Sequence, residues 1–104
     1  MQTIDDICKT VARFVLEGRL QEARQLAEGA LRGNETSTEL LSLLGRICKR
    51  LQDYSAAIQY TERAIHSSQV PALEYARLGE AFHDAGQLSQ ARSACEQALQ
   101  LKPQ

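Results

Sequence analysis

The segment Gly79–Gln87, GEAFHDAGQ, brings together three side chains capable of chemistry: Glu80, His83 and Asp84. On a helix, spacings of three and four place them on one face. A Glu and a His three apart form half of a helical di-metal site, and a His beside an Asp can move a proton. A complete di-metal site needs a second Glu-x-x-His and two further glutamates. The other histidine, His66, has Arg63 three residues before it instead. Nor does a Ser, Cys or Thr stand in a recognisable nucleophile, base and orienting-group pattern. The sequence therefore assigns no catalytic residue, metal ligand or cofactor. Glu80, His83 and Asp84 are expected on a solvated helix face open to a partner.

The elements that carry these residues follow from an internal repeat. Gly45, in LLGRICK, and Gly79, in RLGEAFH, lie 34 residues apart. At the same offset Tyr54 meets Leu88, Ala57 meets Ala91, Ala64 meets Ala98 and Ile65 meets Leu99; a further 34 residues back lie Leu20, Ala23, Ala30 and Leu31. The register also aligns Gly18 with Gly86 and Phe14 with Phe82. One unit occurs three times without insertion, over 4–37, 38–71 and 72–104, in a single expected domain spanning 1–104.

Each unit reads as two amphipathic helices. Tyr75, Leu78, Gly79 and Phe82 form one apolar stripe, and Leu88, Ala91, Cys95, Ala98 and Leu99 form the next. The expected pairs are 4–17 with 20–33, 38–51 with 54–67, and 72–85 with 88–101. Thr3 is placed to cap the first helix with Asp5 and Asp6 in its first turn, Asp53 to cap the fourth, and Gly86 to stop the fifth. Pro71 closes the linker before the fifth helix.

Composition agrees with an all-α fold: 104 residues, 5% aromatic, no Trp, and abundant Ala, Leu, Gln, Glu and Arg. Twelve Lys and Arg against thirteen Asp and Glu leave a net charge of −1, which lacks the basic excess of a nucleic-acid module. No apolar run approaches the length of a membrane span, and no signal peptide is recognisable. The three cysteines, odd in number and widely spaced, suit a reduced, cytoplasmic protein. Cys48 and Cys95 fall on packing stripes, where a thiol acts as a small hydrophobe. Cys8 sits off its stripe and is expected to be exposed, with Lys9 as its cationic neighbour.

At this level the chain resembles the tetratricopeptide repeat family, whose unit carries W-x2-L-G-x2-Y, then A-x3-F, then A and P. The last unit matches with Tyr75, Leu78, Gly79, Phe82, Ala91, Ala98 and Pro103, and Cys95 replaces the usual aromatic. The middle unit keeps Leu41, Leu44, Gly45, Ala57 and Ala64, with Cys48 and Thr61 where aromatics are usual. The first keeps Ile7, Phe14, Gly18, Ala23 and Ala30 but has Thr10 and Val11 in place of Leu and Gly. The resemblance implies an α-solenoid, a right-handed superhelix of three helix-turn-helix repeats, whose first helices line a concave groove for a partner peptide or helix.

Carried over row by row, it places Asp5, Cys8, Lys9, Ala12, Val15 and Leu16 in that groove from the first unit. The second contributes Glu39, Ser42, Leu43, Arg46, Lys49 and Arg50, and the third Leu73, Ala76, Arg77, Glu80, His83 and Asp84. Such a groove is basic in its middle and suits an acidic partner, because Arg46, Lys49, Arg50 and Arg77 can meet a carboxylate or phosphate. Family members that hold acidic chaperone tails carry a clamp of Lys, Asn, Asn, Lys and Arg. The corresponding residues are Cys8, Ala12, Leu43, Leu73 and Arg77, of which Arg77 alone agrees, so that partner is not expected.

A stack of repeats buries each unit against the next, which leaves the last helix short of a cover. Cys95, Leu99 and Leu101 are expected to lie partly uncovered there, and self-association through that end is a second expectation. A third is that the repeats form the docking or assembly arm of a larger enzyme, since LKPQ falls where another unit would start.

Overall fold

The computed structural model describes residues 3–101. Pro103 lies outside the described residues. Six helices follow one another: α1 (Ile4–Leu16), α2 (Leu20–Leu31), α3 (Thr38–Arg50), α4 (Tyr54–Ser67), α5 (Pro71–Asp84) and α6 (Leu88–Leu101). Their boundaries fall within two residues of those the hydrophobic periodicity predicts. The fold is all-α, a helical repeat.

Local chemistry sets each start. Thr3 and Asp6 form a reciprocal capping box on α1: the Asp6 amide donates to Thr3 Oγ1 at 3.1 Å, and the Thr3 amide donates to the Asp6 carboxylate at 3.4 Å. The Leu40 amide donates to the Ser37 hydroxyl at 3.3 Å on α3, and the Ala56 amide to Asp53 Oδ1 at 3.3 Å on α4. Pro71 occupies the first turn of α5, where a missing N–H leaves no intrahelical bond unmade.

The turn inside each pair is also the same. Gly18 and Gly86 take φ of +78° and +80°, and the next amide closes back onto the helix, Arg19 to the Phe14 carbonyl and Gln87 to the Phe82 carbonyl, both at 2.8 Å. The middle repeat has Gln52 in that row, held at φ 65° while the Asp53 amide reaches the Cys48 carbonyl at 2.9 Å.

Each helix packs on its successor, and α1 also touches α3, giving a body of 41 × 26 × 22 Å. The main core surrounds α3: Leu40, Leu41, Leu44 and Ile47 are fully buried among Val11, Ala23, Ala27, Leu31 and Ala64. Small residues set the spacing within a pair. A Cβ on Gly45 would fall 2.6 Å from Thr61 Oγ1, and one on Gly79 would fall 2.6 Å from Cys95 Sγ and 3.3 Å from the Ala91 carbonyl. The first repeat inverts the bulk. Val11 occupies the glycine row, and Ala27 stands where Thr61 and Cys95 stand later; both are fully buried. The larger residue in α1 is thus matched by the smaller one in α2.

Candidate functional site

Most of the residues expected in the groove line three hollows. One, of about 510 Å³, has Ala12, Val15 and Leu16 of α1 on one side, Leu43, Arg46, Lys49 and Arg50 of α3 at its centre, and Arg77 and Glu80 of α5 opposite. A second, of about 420 Å³, shares Ala12, Leu43, Arg46 and Arg77 with it and adds Cys8, Lys9, Glu39 and Ser42. His83 and Asp84 line a third, with Gly79, Leu88, Arg92 and Cys95, which meets the first at Glu80. Asp5, Leu73 and Ala76 line none of these hollows, and Leu73 is 47% exposed.

The charges in the groove are already partly paired. Lys49 Nζ reaches Glu80 Oε2 at 2.7 Å and Asp84 Oδ2 at 3.6 Å, tying α3 to α5. Both carboxylates of the Glu80–His83–Asp84 segment therefore turn to a lysine. His83 Nδ1 stands 3.7 Å from the other Asp84 oxygen with its side chain open to solvent. The Lys49 ammonium is held above its usual range, first by the hydrogen bond to Glu80 and against the desolvation that opposes it. Among the described residues, no three His, Cys, Asp or Glu side chains converge as metal ligands would.

Arg77 is held as well, by a residue that sequence reasoning missed. Glu74 is 3% exposed, and its Oε2 accepts from Ser42 Oγ at 2.8 Å and from Arg77 Nη1 at 3.4 Å. Its Oε1 is buried without a hydrogen-bond partner among the described residues. The available signal is the repeat register: Glu74 shares a row with fully buried Leu40, so a carboxylate stands in a core row.

Arg46 differs. It makes no ion pair among the described residues. Its guanidinium is held below its usual range, first by desolvation and then by the charge of Arg77, with Glu74 offsetting part of the effect. A cation in that position gains from an arriving anion, whose charge offsets the repulsion from Arg77 and compensates hydration already lost. Next to it, Leu16 is 88% exposed and Leu43 half-buried, an apolar surface at the same mouth.

One expectation is overturned. Cys8 is 4% exposed, because α3 closes over α1 and brings Glu39 to the thiol. Burial first, and then the Glu39 carboxylate, pushes the thiol up to about 12, so it is inert as a nucleophile. Cys48 is fully buried and pushed up to about 11 by burial. Cys95 packs its sulfur towards Gly79 yet remains exposed. Among the described residues, no helix is long and apolar enough to cross a membrane.

The family described as Tetratricopeptide Repeats-Sensor matches residues 4–104. A solved structure, titled "Crystal structure of MamA", is similar with a TM-score of 0.88 at 25% identity, over 97% of this chain and 59% of that one. The chain thus spans less than two thirds of that protein's length. A search of the curated proteins finds no match.

Proposed function

The chain belongs to the tetratricopeptide repeat sensor family, and we propose that it is a non-enzymatic module that holds an extended peptide segment in the groove over α1, α3 and α5. The segment presents a carboxylate to Arg46 and apolar side chains to Ala12, Val15 and Leu16. One observation carries this reading. Among the described residues Arg46 makes no ion pair, and its guanidinium, on an exposed residue yet held below its usual range first by desolvation, stands beside exposed Leu16 in a hollow of about 510 Å³. Lys49 and Arg77 have internal partners and serve as secondary contacts; Arg46 and Arg50 make no ion pair among the described residues, and Arg46, which lines both hollows over α1 and α3, is the anchor. The family's description as a sensor fits a module whose output is occupancy of a site. Its three unpaired cysteines support a cytoplasmic address.

Fluorescence anisotropy against an array of short peptides tests this, each with one Asp or Glu two to four residues from a pair of Leu or Phe. The acidic, apolar members are expected to bind, and Arg46→Ala to weaken them about tenfold or more, the scale of a hydrogen bond to a charged group. Arg32→Ala, beyond the end of α2, leaves binding unchanged. Equal affinity in Arg46→Ala, or no preference for acidic members, sinks the reading.

A further inference from the structure

One set of rows has three different fates along the chain. Leu20, Arg24, Ala27 and Leu31 in α2 align with Tyr54, Ile58, Thr61 and Ile65 in α4, and with Leu88, Arg92, Cys95 and Leu99 in α6. Ala27 is fully buried and Thr61 5% exposed, whereas Cys95 is exposed. Leu31 is 6% exposed, Ile65 half-buried, and Leu99 76% exposed. Leu88 is 62% exposed. Position is the cause: α3 packs on α2 and α5 on α4, while among the described residues no helix follows α6.

The α6 stripe has an internal symmetry. With about 100° per residue, Leu88, Arg92, Cys95 and Leu99 fall within an arc of about 60°. Their spacing of four, three and four reads the same in both directions about the midpoint between Ser93 and Ala94. Laid antiparallel on a second copy, Leu88 meets Leu99 and Arg92 meets Cys95. A two-fold axis across the pair keeps each flank on its own side. Arg92 then stands beside Glu96 of the second copy, offset along the axis by about one residue's rise of 1.5 Å.

We propose that α6 is a self-pairing surface through which two copies join tail to tail, with two Leu88–Leu99 contacts and two Arg92–Glu96 ion pairs between copies. Within one chain Arg92 and Glu96 are 3.8 Å apart with side chains 84% and 62% exposed, a loose pair that is free to exchange. Head-to-tail stacking does not compete. Where α3 and its C-cap carry Leu40, Ile47 and Leu51, the matching outer row of α1 and its C-cap carries Asp6, Arg13 and Glu17, all exposed. Covering α6 with α1 would bury those charges against leucines. The two-fold pairing closes on itself and ends at two copies. One helix face per copy is a small interface, so the dimer is a transient one. The inference does not depend on the groove reading, and loss of peptide binding leaves it standing.

Analytical ultracentrifugation over a wide concentration range tests it. The wild-type chain is expected to shift from one copy towards two and no further. Leu99→Glu is expected to remain monomeric at every concentration with an unchanged circular dichroism spectrum, since the residue is exposed. Arg92→Glu and Glu96→Arg are each expected to be monomeric alone, because each places four like charges on the joint. Mixed, they form a heterodimer at least as tight as the wild-type pair. A short bis-maleimide supplies a second readout: Cys95 is the exposed thiol, and it links two copies in the wild type but not in Leu99→Glu. A wild-type chain monomeric at millimolar concentration, association that survives Leu99→Glu, growth beyond two copies, or a mixture no tighter than its components would overturn the proposal.

Discussion

The first and last edges of the repeat array are built from matching rows and finished in opposite ways. At the first edge Phe14 lies beneath two guanidiniums, Arg19 at 4.1 Å and Arg13 at 5.6 Å from the ring centre. Arg19 is itself held by Glu22 at 2.6 Å and Glu17 at 3.1 Å. At the last edge the matching aromatic, Phe82, borders a shallow apolar hollow with Tyr75, Leu78 and Ala94, and α6 shows Leu88 and Leu99 to solvent. The first unit also departs furthest from the family pattern. Its departures put charge on a face that no helix covers among the described residues, and they shift bulk from α2 to α1 inside. A repeat with an uncovered face needs a different sequence because it has different surroundings.

The sharpest way to break this comparison is to truncate one row at both edges. Leu31→Ala removes a leucine enclosed by the main core and is expected to cost about 2–3 kcal/mol in urea unfolding. Leu99→Ala, in the same row, is expected to change stability by no more than about 0.5 kcal/mol in dilute solution. A comparable loss at both positions would mean that α6 is covered as α2 is.

The thiols draw the same contrast through chemistry. At pH 8 a thiol reagent is expected to modify Cys95 quickly, and Cys8 and Cys48 at the rate of unfolding. Linkage gives the sign for stability. The folded-state values of Cys8 and Cys48, about 12 and 11, lie above the ordinary 9.0. Their contribution is complete below pH 9 and is lost as pH rises towards 11 and 12, because the unfolded chain sheds those protons first. By pH 10 the loss is about 1.4 kcal/mol per thiol. Cys8→Ala and Cys48→Ala should each flatten the alkaline decline relative to the wild type. A decline of wild-type slope in both variants would place its origin elsewhere.

Cys8 also shows where sequence reading stops. The helices and their pairing were legible because apolar periodicity and cap residues are local signals, and the 34-residue register checks each against two copies. The same register named most of the residues that line the hollows, and it also named Asp5, Leu73 and Ala76, which line none of them. The cover and ion pairing of the lining residues did not follow from it. Whether Cys8 is covered depends on the contact of α1 with α3, and whether Lys49 is free depends on Glu80 lying 31 positions away. Periodicity within one helix carries neither fact. Glu74 was readable in principle, as a carboxylate aligned with Leu40, yet only the fold shows Ser42 and Arg77 arranged around it. Hence the rows of the site were accessible from sequence, while the pairing of its charges, with Arg46 and Arg50 making no ion pair among the described residues, was not.

The middle repeat sharpens the comparison with the smallest change, at the turn row shared by Gly18, Gln52 and Gly86. All three residues take positive φ, where a side chain beyond glycine costs about 1 kcal/mol from the clash of Cβ with the backbone. A Cβ on Gly18 or Gly86 would meet no other atom within 4 Å, so the penalty there is conformational rather than one of space. Gln52→Gly is therefore expected to stabilise the fold by about 0.5–1 kcal/mol, less the extra freedom glycine gives the unfolded chain. Gly18→Ala and Gly86→Ala are expected to destabilise it by a similar amount. If the turns of the edge units are loosened by solvent, the two glycine substitutions will cost less than Gln52→Gly gains. Equal and opposite changes would instead show that the turn is a property of the repeat itself, and that the edges differ only on the faces of their helices.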